Sequence, residues 1–104
     1  MIKTYDEYLN EDSSLQRRVT DIMRQLDYNH PKSNEMIKRL ESLIVGKDVD
    51  AEESYDEFEA IPVINVRKVY FDPEDTDYIL IKDARGGETS LYLTKGRRTG
   101  IRIK

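Results

Sequence analysis

No cysteine occurs in this sequence. That excludes disulfides, thiolate metal sites and cysteine nucleophiles, and it suits a reducing compartment. Tryptophan is absent too, so seven tyrosines and two phenylalanines must supply the bulky packing. Histidine occurs once, as His30 beside Pro31, with no partner cluster. It fits a surface or cap position better than a metal or catalytic one. No apolar run nears the roughly 20 residues needed to span a bilayer. The opening MIKTYDEYLNED is too polar and acidic for a secretory signal. The expectation is an intracellular protein without a membrane partner.

What is present is the length of one domain, 104 residues, with room for one modest core. Charged residues reach 37%, almost equal to the 38% hydrophobic. The apolar residues are patterned, however, which argues for a folded chain. Charge is uneven. Residues 1–60 hold 8 basic and 15 acidic side chains, whereas residues 61–104 hold 9 and 6.

Periodicity divides the chain into an amphipathic leader over 1–12 and one α+β domain over 13–104. In the leader, Tyr5, Tyr8 and Leu9 fall at helical spacing. Ser13 and Gln16 form a candidate capping box for a first helix. Leu15, Val19, Ile22, Met23 and Leu26 make its apolar stripe. Tyr28–Pro31 breaks it, with Pro31 suited to the first turn of a second helix. That helix carries Met36, Ile37, Leu40, Leu43 and Ile44, and Gly46 suits its C-terminal cap. Helices over 13–45 thus predict an antiparallel hairpin. Residues 46–60 read as an acidic joint. From Ile61 the period becomes two, predicting an antiparallel β-meander of three or four strands over 61–104. Its first strand is Ile61–Phe71, with Pro62 at the start or on an edge. Gly86-Gly87 predicts a two-residue hairpin loop pairing Arg85 with Glu88, Ile81 with Tyr92, Leu80 with Leu93 and Ile79 with Thr94.

No catalytic, metal or cofactor constellation emerges, and the chain does not read as an enzyme. Asp48-Val49-Asp50 lacks the glycine and oxygen spacing of a calcium loop. Gly86-Gly87 joins two strands and opens no helix, so it is not a phosphate cradle. Two charged patches remain. Asp48, Asp50, Glu52, Glu53, Asp56, Glu57 and Glu59 form a candidate surface for a protein partner. Lys95, Arg97, Arg98, Arg102 and Lys104 form a basic hairpin that could grip a phosphate backbone, the alternative nucleic-acid reading.

One stretch points to a setting. Lys3-Thr4-Tyr5-Asp6-Glu7-Tyr8-Leu9-Asn10-Glu11 resembles the capsid-targeting leader on internal head proteins of T-even-type tailed bacteriophages. The resemblance covers about nine residues. It implies packaging in the prohead and a protease cut after the tripeptide Leu9, Asn10 and Glu11. Tyr8 stands where phenylalanine is commoner, and Asp12 departs from the small residue usual after the cut. The resemblance further implies a small phage accessory protein, in host cytoplasm or virion, that binds a host or virion protein. A virion structural subunit is a further alternative.

Overall fold

The structure of the protein, a computed structural model, describes residues 5–54, 57–93 and 98–104, with the side chains of 14–53, 57–93 and 99–104. Among the described residues it is α+β with the helices first: α1 (Tyr5–Gln25) and α2 (Ser33–Ile44), then six strands. These are β1 (Val49–Ser54), β2 (Phe58–Val63), β3 (Val66–Phe71), β4 (Tyr78–Asp83), β5 (Glu88–Tyr92) and β6 (Arg98–Ile103). They form two antiparallel three-stranded sheets, ordered β2-β1-β6 and β3-β4-β5. The expected single meander of three or four strands is therefore corrected to six strands in two sheets.

Helix α1 starts well before Ser13, which lies in mid-helix and is no N-cap. Val19, Ile22, Met23 and Leu26 are buried as the stripe predicts. Pro31 lies in the turn before α2, whose N-cap is Lys32. Gly46 follows the helix end with φ 79°, the left-handed conformation glycine adopts freely.

The acidic joint is not a linker. It contains β1 and the start of β2, because its acids alternate with apolar residues at period two. Val49 and Ala51 are fully buried on the core face. Asp50 and Glu52 lie on the opposite face, across from Arg102 and Gly100 of β6. Ile61–Phe71 is not one strand either. Asn65 takes φ 56° and its N–H donates to Asp48 Oδ1 at 2.9 Å, turning the chain from one sheet into the other.

The β4–β5 hairpin departs from the two-residue loop. Its register pairs Lys82 with Glu88, Ile81 with Thr89, Leu80 with Ser90 and Ile79 with Leu91. Asp83 decides this. Its Oδ1 accepts the N–H of Arg85 at 2.9 Å and of Gly87 at 2.8 Å. Its carbonyl accepts Gly86 N–H, and Gly86 takes φ 83°. This is a type I turn closed by a left-handed glycine, a three-residue loop. The shift moves every β5 side chain by an odd number of places, so Ile79, Ile81 and Leu91 share the core face. Together with Val69 of β3, Val63 of β2, Ile101 of β6 and both helix stripes, they make one core.

Candidate functional site

The register fixes which strand edges are open. Lys104 N–H donates to Asp48 O, so Asp50 and Glu52 direct their main-chain groups to β6. Val49, Ala51 and Glu53 then bond β2 through Val63, Ile61 and Glu59. Phe58, Ala60 and Pro62 are left pointing outward. Pro62 has no N–H to give, which suits this outer position.

Three of the four sheet edges are wholly or partly occupied. On β6, the Gln16 amide donates from Nε2 to Ile101 O and accepts Ile103 N–H at Oε1, both at 2.8 Å. On β3, Val69 N–H donates to Glu41 Oε2 of α2 at 2.9 Å. On β5, Tyr92 N–H donates to Glu53 Oε1 and Tyr92 O accepts Thr99 Oγ1. The rest of that edge carries Glu88 and Ser90, both exposed and polar. Among the described residues, no hydrogen bond reaches the outward groups of β2. Instead, exposed apolar side chains flank them: Phe58 is 66% exposed, Ile61 39% and Ile64 56%. Neither signal was readable in the sequence, where Phe58 sits among acids and Ile61 and Ile64 resemble core residues.

The acidic candidates separate. Asp48 holds the Asn65 turn and Glu53 holds β5. Asp50 pairs with Lys104 at 3.1 Å and Glu52 with Arg102 at 3.3 Å. Glu57 and Glu59 stay exposed beside Phe58. Asp56 lies outside the described residues. Of the basic candidates, Arg102 and Lys104 are the partners just named. Arg98 opens β6 opposite Ser54, while Lys95 and Arg97 lie outside the described residues. The two patches read as independent surfaces in the sequence are thus zipped together as adjacent strands. Leu9, Asn10 and Glu11 belong to the helical backbone of α1.

Two other places were candidates by shape. A groove of about 720 Å³ between the helices is lined by Arg18, Lys32 and Arg39 but also by Asp21 and Glu35 over Met36. It mixes three cationic with two anionic side chains, so its lining presents no single sign of charge to a ligand. The outer face of β3-β4-β5 carries Tyr70 under Lys68 at 5.0 Å, and Tyr78 against Tyr92 at 4.8 Å. There Tyr70 donates its hydroxyl to Glu88 Oε2 at 3.0 Å. His30 accepts Lys32 N–H at Nδ1, as a turn residue. Among the described residues no helix is long and apolar enough to cross a membrane, and no three metal-ligating side chains gather. No family model, curated protein or solved structure matches the chain.

Proposed function

We propose that this protein acts by binding another protein and not by catalysis, with the β2 edge as its receiving surface. The observation that carries this is the row of unbonded main-chain groups on β2 flanked by exposed Phe58, Ile61 and Ile64. An extended segment added there gains main-chain hydrogen bonds and covers apolar area, the strand-addition mode of recognition. Glu57 and Glu59 stand beside it, so an incoming segment must keep its own acids out of direct register with them. The Lys3–Glu11 resemblance supports a phage setting: a small accessory protein, packaged in the head or made early in infection. Cleavage after Glu11 requires the first turns of α1 to unwind, since that bond lies within the helix.

A photo-crosslinking side chain in place of Phe58 tests the edge. It is expected to trap a protein from infected-cell lysate, whereas the same group at Ser90 traps none. Equal or absent trapping at both positions overturns the reading. For the packaged version, co-expression with the prohead protease is the test; no cut after Glu11 and no entry into virions excludes it.

A further inference from the structure

We propose that the segment received by β2 is the β2 strand of a second copy of this chain. It pairs antiparallel about a two-fold axis through Ile61, and the two β2-β1-β6 sheets become one of six strands. The inference rests on the edge reading above and names its partner.

The register follows from elimination. Antiparallel bonds form where an outward residue faces an outward residue, and on β2 those are Phe58, Ala60 and Pro62. The axis can then lie on any residue of β2: on Phe58 it sets Ala60 and Pro62 opposite positions beyond the strand, on Pro62 it faces two prolines with no N–H to exchange, and on Val63 it leaves Phe58 and Ala60 opposite positions beyond the strand. An axis on Glu59 sets that carboxylate directly opposite its own copy, a destabilising like-charge pair. An axis on Ala60 places Ile64 opposite position 56, beyond the strand, and leaves it uncovered. An axis on Ile61 pairs Phe58 with Ile64, Ala60 with Pro62 and Ile61 with itself. That single register covers all three exposed large apolar residues of this edge.

The same register handles the charges. Glu59 faces Val63, so the two Glu59 carboxylates sit four positions apart along the strands. At about 3.3 Å per residue that is roughly 13 Å, beyond the screening length of about 8 Å at physiological salt. The face shared by Phe58, Ala60 and Pro62 becomes an apolar seam, with exposed Ile64 just beyond its end, mirrored by the second copy. Pro62 withholds one N–H per strand, while Phe58 and Ala60 each offer theirs. A single short edge falls at the small end of specific interfaces, below about 1,200 Å² in total. The expected state is a reversible dimer that concentration shifts.

Sedimentation equilibrium of the full chain from micromolar to millimolar concentration is the first measurement. The mass is expected to rise toward twice the monomer value. Ile61→Lys and Phe58→Glu should hold it at the monomer value with unchanged circular dichroism. Because the chain has no cysteine, oxidation reads the register directly. Ile61→Cys faces its own copy in a non-hydrogen-bonded pair with Cα atoms about 4.5 Å apart, within disulfide reach. It should form covalent dimer rapidly, and the exposed Glu59→Cys slowly. Equal oxidation rates at the two positions overturn the register, and a monomer at every concentration overturns the dimer. If the chain stays monomeric while a crosslinker at Phe58 traps a different protein, self-pairing fails and the edge reading stands. If it stays monomeric and traps nothing, both fail.

Discussion

Gln16 shows how one side chain can finish a sheet. Its amide offers a donor and an acceptor at the spacing of a neighbouring strand, and it takes Ile101 O and Ile103 N–H. Replacing it by leucine of similar size leaves both groups part-buried without partners. Gln16→Leu is expected to cost about 1–3 kcal/mol, measured by urea unfolding, with loss of hydrogen-exchange protection at the Ile103 amide. Tyr70 gives a second residue-level expectation. Its phenol titrates above the ordinary 10.0, because partial burial disfavours the phenolate, and the Glu88 hydrogen bond and the charges of Glu88 and Asp72 add to this. The folded state therefore favours the neutral phenol. Its contribution to stability is full below about pH 10 and is lost as pH rises through the folded value. Absorbance titration should show Tyr70 ionising late, and Glu88→Gln should lower its midpoint.

At the scale of elements, the helices were legible because a stripe recurring every three or four residues admits one interpretation. Val19, Ile22, Met23 and Leu26 are buried where that stripe puts them. The strands were less legible for three physical reasons. Acids on β1 hid its period, although Val49 and Ala51 alternate with them. Asn65 broke Ile61–Phe71 through a left-handed conformation that no glycine announced. Asp83 recruited Gly87 as well as Gly86 and moved the hairpin register. The candidate site itself was masked, since exposed isoleucines look like core isoleucines in a sequence. Gly87→Ala tests the hairpin account. A Cβ there meets Asp83 Oδ2 at 2.6 Å, so the Asp83 carboxylate must shift, which disturbs the turn bonds that its Oδ1 accepts. A loss of about 1–2 kcal/mol is expected, with altered amide shifts at Arg85 and Gly87 in NMR spectra.

Over the whole molecule, both sheets and both helices share one core. Leu40 of α2 is fully buried in it. Leu40→Ala should cost about 2–5 kcal/mol and lower the unfolding midpoint of both sheets together, seen as a single transition by every probe. Charge also acts at this scale. Asp50 and Glu52 neutralise Lys104 and Arg102, although such part-exposed pairs add only about 0–1 kcal/mol each. Their larger effect is on what the surface attracts. Asp50→Asn with Glu52→Gln is expected to create salt-sensitive binding to oligonucleotides that the parent chain lacks, measured by fluorescence anisotropy across salt. Equal binding by parent and variant would return the basic strand to consideration as a nucleic-acid surface.

The pairing of β1 with β6 has a consequence for how the chain is made. Strands β3, β4 and β5 follow one another and can pair as they leave the ribosome, whereas β1 ends at Ser54 and its partner begins at Arg98. At roughly 5–20 residues per second, β1 waits on the order of seconds with one side unpaired. During that interval the nascent chain shows two raw strand borders, β1's temporary one and β2's lasting one. Translation speed over the second half of the message therefore sets how long the unfinished sheet is open to a wrong neighbour.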